Sequence, residues 1–386
     1  MYLRNCRIVP ELSGMAAFNL ADVIISDGLI EEVLPAGAEN TPPDAIDCGG
    51  KTLLPGLIDL HNHILMYDMN SATTDPQHTC MSALVQGAAE SKMFLEYGYT
   101  TIRDLGSSYN AAIHVRDLIE KGVFIGPRII TSGNIIAAHD SRKIQGNYNL
   151  LADGCDEIRK AVRFTLAIGA DIIKIYNCSP VFDKKRPCAP LYTPEELETL
   201  VETARFKGTY VAAHCHDTLS INMSLDAGIY TIEHASRADD RSLEKLAKGG
   251  QYLVPTVAPY LTLQKVNVFD KTMLNDLLEA TTYGITKAQK GGLKIGFGSD
   301  MQVTKWHDRI GFEFKARKEY FGFDNKELLK EATVYNAEIL GMEDSIGQVK
   351  KGLRADLIVV DGSPDEDIAV MYKKPDMVFM GGVKVV

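Results

Sequence analysis

A (β/α)8 barrel carrying a small β-sandwich built from both chain termini is the α/β fold this sequence predicts, on three observations. The two ends of the chain share a β texture of short apolar runs and Gly, Pro and Asn turns. The middle alternates strand runs with helical runs, the rhythm of a parallel sheet, and eight strand runs can be counted. Residues able to ligate a metal fall at the C-terminal ends of those runs, where such a barrel assembles its active site. The chain has 386 residues and is 45% hydrophobic, enough for one barrel and a small appendage. The expected division is residues 1–55 plus 344–386 for the sandwich and 56–343 for the barrel.

In chain order, Leu3 to Val9, Val23 to Ser26 and Leu29 to Leu34 read as strands of a small antiparallel sheet. The eight barrel strands are expected at Gly56 to His61, Thr100 to Asp104, Arg128 to Ser132, Asp171 to Tyr176, Tyr210 to His214, Ile229 to His234, Tyr252 to Thr256 and Ile295 to Asp300. Thr193-Pro194-Glu195-Glu196 supplies an N-cap, a first-turn proline and an N3 glutamate for one intervening helix. Asp324 to Glu327 repeats that pattern. Ala355 to Val360 reads as a buried strand, and Asp376 to Val386 as a closing hairpin around Gly381-Gly382.

A net charge of −10 sets this surface against nucleic acid and acidic membranes, so small-molecule substrates are expected. No apolar run approaches the roughly 20 residues of a membrane span, and the N-terminus lacks a signal-peptide core, which predicts a soluble, cytoplasmic protein. The seven cysteines are odd in number, scattered and without C-x-x-C spacing, as expected of free thiols. Cys215 lies between two histidines but alternates away from them and is read as core.

His61 and His63 close an apolar strand. Two apart, they point the same way and make half of a chelate. Lys174 stands inside the isoleucine-rich run Asp171 to Tyr176, where an ammonium is costly. A strand lysine ordinarily snorkels to the rim or pairs with a carboxylate. Buried, it tends to lose its proton, and a neutral amine can take up carbon dioxide as a carbamate able to bridge two cations. His214 and His234 end the next two strands, 20 residues apart, room for one minimal crossover. In the last strand Gly296 and Gly298 keep one face bare until Asp300, a carboxylate able to ligate a metal and accept a proton. Each residue alone has an ordinary structural reading; six of them sharing strand ends and facing direction point to a metal site.

His61-Asn62-His63, Lys174, His214, His234 and Gly-Ser-Asp300 resemble the binuclear ligand set of the amidohydrolase superfamily, over nearly the whole chain. Gly98 to Gly106, the Ala-His-Cys-His216 strand end, Ile-Glu-His234 and the tail Ile346 to Ile358 resemble its prolidase-like branch, related to imidazolonepropionase. That resemblance implies His61, His63 and Asp300 around one ion, His214 and His234 around a second, and N6-carboxylysine at Lys174 bridging them. Zinc suits these ligands, with manganese, iron and cobalt left open by ligand type. It implies a hydroxide shared by the ions as nucleophile, with Asp300 as catalytic base, and gives His139 a catalytic or substrate-contacting role. Here the sequence departs from the family: Ala-Ala-His139-Asp replaces a glycine-rich loop, and Ala-Ser-Arg237 follows His234 where glycine is common. His216 and Arg237 are the further substrate-binding candidates, Arg237 as receiver of a carboxylate. Arg142, Lys184-Lys185-Arg186, Lys305 and Trp306-His307 lie in expected mouth loops, and His78 and His114 are read as structural or rim residues.

The expected activity is hydrolysis of a C–N amide bond in a small carboxylated substrate such as a dipeptide or N-acyl amino acid, by a homo-oligomer. Opening of a cyclic amide, imidazolone or lactone is the alternative within the same chemistry. A scaffold that has lost catalysis would lack ligands, and all six positions are filled.

Overall fold

The computed structural model describes residues 1–14, 18–37, 42–66, 79–141, 148–179, 188–264, 271–302 and 311–386. Arg142, Lys184, Lys185, Arg186, Lys305, Trp306, His307 and His78 lie outside the described residues.

Both termini enter one eight-stranded sheet. From the N-terminal side come β1 (Tyr2–Ile8), β2 (Leu20–Ser26), β3 (Leu29–Pro35), β4 (Ile46–Asp47) and β5 (Thr52–Pro55). The C-terminal β16 (Leu357–Val360), β17 (Met377–Met380) and β18 (Val383–Lys384) complete it, in the order β18-β17-β16-β5-β1-β2-β3 with β4 also on β1. The hairpin turn at Gly381-Gly382 falls where the glycines predicted it, and both adopt positive φ. The expectation of an antiparallel sheet needs correction, because β1 pairs with β4 and β5 in parallel. The long connection from β3 returns the chain to β1 in the direction it left, which a tight hairpin cannot do. A separate core of Leu3, Cys6, Val23, Ile30, Leu53, Leu357 and Phe379 lies under this sheet.

The central segment is mixed α/β with parallel strands: β6 (Leu57–His63), β7 (Tyr99–Asp104), β8 (Arg128–Thr131), β9 (Ile135–Ala137), β10 (Asn149–Leu151), β11 (Ile173–Tyr176), β12 (Val211–Cys215), β13 (Thr231–His234), β14 (Tyr252–Val254) and β15 (Met301–Gln302). They form one sheet of order β10-β9-β11-β12-β13-β14 and another of order β15-β6-β7-β8. The short β9 and β10 were not expected from sequence; β9 pairs with β11.

The expected strand Ile295 to Asp300 is corrected to an irregular segment. Apart from a single bridge at Ile295 to Leu253, its regular pairing begins only at β15. Gly296 and Gly298 weaken it, and Asp300 at φ 51° breaks the extended run. It still runs beside β14 and β6: Gly296 N–H donates to Leu253 O at 2.9 Å, Leu60 N–H to Phe297 O at 2.9 Å, and Asp300 N–H to His61 O at 2.6 Å.

Helices cover the sheets. α1 (Cys80–Glu96), α2 (Ala111–Glu120), α3 (Gly154–Ala167), α4 (Pro194–Phe206), α5 (Thr218–Ala227), α6 (Asp240–Leu246), α7 (Ala258–Leu263) and α8 (Lys271–Lys290) alternate with the strands. The capping box of α4 is present as predicted, Thr193 accepting from Glu196 N–H and Glu196 returning to Thr193. Asp324 caps its helix through Lys326 N–H. No described helix is long and apolar enough to cross a membrane.

The next helix, α9 (Phe312–Ala316), is bolted to the strands by a buried Glu-Arg-Glu cluster. Arg317 donates to Glu313 at 2.7 Å, to Glu331 at 2.6 Å and to Pro255 O at 2.6 Å, while Glu313 accepts from Val257 and Ala258 N–H. The irregular segment at 295–300 is thus held by a side chain as well as by its few backbone hydrogen bonds, since the same guanidinium reaches Gly296 O.

Candidate metal centre

Strand ends deliver the ligands. His61 and His63 leave β6 on one face, Lys174 lies in β11, His214 near the end of β12, and His234 at the end of β13. Asp300 follows the two-glycine run. A Cβ on Gly298 would stand 2.7 Å from His61 Cβ and 2.8 Å from Val254 Cγ1, so the bare face makes room for His61 itself.

Two clusters result. Ligand atoms of His61, His63 and Asp300 lie within 4.8 Å of one another, and so do those of His214, His216 and His234. Asp300 Oδ1 is 3.3 Å from His63 Nε2 and 3.5 Å from His61 Nε2. The clusters adjoin, with the His61 and His234 ring centres 4.7 Å apart. His216 stacks on His234 at 4.7 Å and 16°, which puts this substrate-binding candidate among the imidazoles rather than at a solvated rim.

Four of these rings, those of His61, His63, His216 and His234, have one nitrogen committed to the protein. His63 Nδ1–H donates to Gly106 O at 2.7 Å, and since a carbonyl only accepts, the tautomer is fixed with Nε2 free. His61 Nδ1 bonds Glu233 at 2.8 Å, His234 Nδ1 bonds Thr256 Oγ1 at 2.7 Å, and His216 Nδ1 bonds Ser236 Oγ at 2.8 Å. Such partners orient metal-ligating histidines and raise their basicity.

Burial and then the neighbouring Lys174 push His61 down to about 4, and burial followed by the surrounding imidazoles puts His234 well below its ordinary value. Both are therefore neutral near pH 7, the state a cation requires. Burial alone would raise Asp300, but His61, His63 and Lys174 outweigh it and hold the carboxyl at about 2. Lys174 is 1% exposed, its Nζ has no hydrogen-bond partner among the described residues, and burial lowers it to about 8. An orphaned amine on the verge of neutrality beside a carboxylate and imidazoles is a group awaiting a partner.

Several residues that serve the centre were missed in sequence. Glu233 bridges His61 and Arg103, whose guanidinium donates to it at 2.8 Å and to Leu60 O at 2.6 Å, all fully buried. Asp59 accepts from His61 N–H and Ser299 N–H, and burial raises it to about 7. Asp104 accepts from Ile64 N–H, Gly106 N–H and Thr131 Oγ1, fixing the turn that carries Gly106 O to His63. The available signal was the one that exposed Lys174: a charge within an apolar strand run, as in Thr-Ile-Arg103-Asp104 and Thr-Ile-Glu233.

His234 and Ala235 have φ of 64° and 50°, and Asp300 has 51°. Non-glycine residues held in the left-handed region cost of order 1–3 kcal/mol each, and three of them gather at the mouth, where such strain aims side chains.

The remaining expectations divide. Cys215 is buried and bonded near Ser224 Oγ at 3.3 Å, part of the core. His139 is exposed and pairs with Asp153 at 2.7 Å instead of joining the other histidines. Arg237 is exposed beyond His234, its backbone N–H bonded to His216 O and its side chain without a partner among the described residues. His114 is an exposed residue of α2.

Residues 52–385 match the amidohydrolase family. The chain belongs to it. Ochratoxinase of Aspergillus niger is 27% identical over 361 residues, covering 84% of this chain and 73% of that protein. A Xaa-Pro dipeptidase with methionine in its active site superposes with a TM-score of 0.88 at 27% identity, over 99% of this chain and 98% of that one. A prolidase complexed with N-methylphosphonate-L-proline gives 0.86 at 28%, over 100% and 98%. The amidohydrolase reading and its prolidase-like affinity, drawn from the strand ends, are borne out, and the chain is an enzyme, a hydrolase.

Proposed function

We propose that this amidohydrolase is metal-dependent and cleaves the C–N amide bond of a small carboxylated substrate, a dipeptide or an N-acyl amino acid. One observation carries the reading: a buried lysine amine with no hydrogen-bond partner among the described residues accompanies two three-ligand clusters, in which His61 and His234 are held neutral. The residues fit a pair of divalent ions, zinc by ligand type: His61, His63 and Asp300 would hold one, His214 and His234 the other, and Lys174, once carboxylated, would serve as a shared ligand. Such ions supply polarisation of the substrate carbonyl and acidification of water.

The chain's own groups do the rest. Asp300, ionised, accepts the proton of the attacking water at a carboxylate oxygen and returns it to the leaving nitrogen. Glu233, Gly106 O and Thr256 keep the rings from rotating, so the Nε2 positions are preset. Arg237, whose side chain has no partner among the described residues, receives the substrate carboxylate; His139, held by Asp153, is the further substrate contact. His216, held by Ser236 and stacked on His234, is a substrate contact. The relatives support this class, since the Xaa-Pro dipeptidase is named for cleaving a dipeptide. The same reading takes the two parallel sheets, joined through the segment at 295–300, as one closed eight-stranded barrel, and the terminal sheet as a separate sandwich of 1–55 and 344–386.

The test is incubation of zinc- and bicarbonate-supplemented protein with dipeptides, N-acyl amino acids and cyclic amides, with products read by mass. Hydrolysis of linear substrates, with a KM that rises in Arg237→Ala, is expected. Turnover confined to cyclic amides or lactones overturns the substrate class.

A further inference from the structure

We propose that Cys178, Cys188 and Asp217 form a second kind of cation site, for a thiophilic divalent ion of the zinc or cadmium class, apart from the histidine clusters. Two thiol sulfurs and a carboxylate oxygen lie within 4.8 Å of one another. Cys178 lies two residues past the end of β11. A short ladder brings Cys188 back toward it: Cys178 bridges Pro190, Ser179 N–H donates to Ala189 O at 3.0 Å, and Ala189 N–H donates to Ser179 Oγ at 3.1 Å. Asp217 is fixed separately, as the N-cap of α5 accepting from Ser220 N–H at 2.9 Å, and its Oδ2 lies 3.6 Å from Cys188 Sγ. Three ligands thus converge: the ladder holds Cys188 beside Cys178, and the start of α5 holds Asp217 against them. Cys178 is buried while Cys188 and Asp217 are half-buried, so an ion can enter from solvent.

The ligand set selects the ion. Thiolates with one carboxylate suit zinc or cadmium and are poor partners for magnesium or calcium. Binding is a proton exchange: each thiol that ligates releases its proton to solvent, and the dication offsets two of the three negative charges on the two sulfurs and the carboxylate. The obvious rival is a disulfide, formed by a two-electron oxidant. An acidic neighbour opposes thiolate attack and favours a cation.

The test uses the full chain under reducing conditions. Zinc at about ten times its dissociation constant is expected to slow alkylation of Cys188 about tenfold by mass action. Exposed Cys80 is the internal reference and should react at an unchanged rate. The protection should persist in His214→Ala, which separates this site from the histidine clusters and from any failure of the proposed amide hydrolysis. Cadmium should produce a sulfur-to-metal charge-transfer band that Cys188→Ser removes. Alkylation of Cys188 indifferent to zinc, protection that vanishes in His214→Ala, a band that survives Cys188→Ser, or recovery of Cys178 joined to Cys188 as a disulfide overturns the proposal.

Discussion

Replacing Glu233 by glutamine tests the support of the centre most directly, because it removes one charge while keeping the shape. Glu233 and Arg103 are both 0% exposed and 2.8 Å apart, and the Glu233 carboxylate also holds His61 at 2.8 Å. Burial by itself would raise Glu233, yet Arg103, His61 and Lys174 lower it from 4.5 to about 2. At about 1.4 kcal/mol per pKa unit, the folded protein favours the ionised form by about 3 kcal/mol, which Glu233→Gln forfeits. Breaking a buried pair from one side costs about 3–5 kcal/mol by a separate argument, since Arg103 is left uncompensated. The sign follows from the lowered value: the stabilisation is complete above pH 4.5 and disappears as pH falls toward 2. Urea denaturation of chelator-treated protein at neutral pH should therefore show a loss of about 3 kcal/mol, narrowing in acid. Arg103→Met combined with Glu233→Gln should cost less than the two single changes added. Metal retention should weaken about 10- to 100-fold, because His61 loses the carboxylate that aims it. A mutant equal to the parent in stability and metal retention, or strictly additive single changes, would refute the coupling.

Gly298→Ala should cost about 1–3 kcal/mol by overpacking and lower kcat more than it changes KM, since the new methyl meets His61 Cβ at 2.7 Å; urea melts and steady-state kinetics check it. Glu331, buried against Arg317, is raised from 4.5 to about 8, chiefly by burial. The folded state keeps a proton that the unfolded chain gives up, so stability is greatest below pH 4.5 and declines as pH rises toward 8. Glu331→Gln should flatten that slope in urea midpoints taken across the window. Lys174→Ala should abolish most activity, with partial recovery on adding short-chain carboxylic acids; full activity without them would mean that Lys174 carries no bridging role.

Sequence alone determined which chemistry could occur. A strand repeats every two residues, so the shared direction of His61 and His63, the turning away of Cys215, and the anomaly of Lys174 among isoleucines were legible from spacing and desolvation. The helix starts were legible for the same local reason, as Thr193 shows. Tertiary structure alone decided which atoms are available. The free nitrogen of His61 is set by Glu233, 172 residues away, and that of His63 by Gly106 O, 43 residues away. The parallel pairing of β1 with β5, the irregular path from Ile295 to Asp300, the entry of His216 among the imidazoles and the meeting of Cys188 with Asp217 likewise depend on segments remote in the chain. Periodicity fixes a side chain's direction within its own element. The partner that commits one ring nitrogen, or gathers two thiols and a carboxylate, exists only once separate elements have packed.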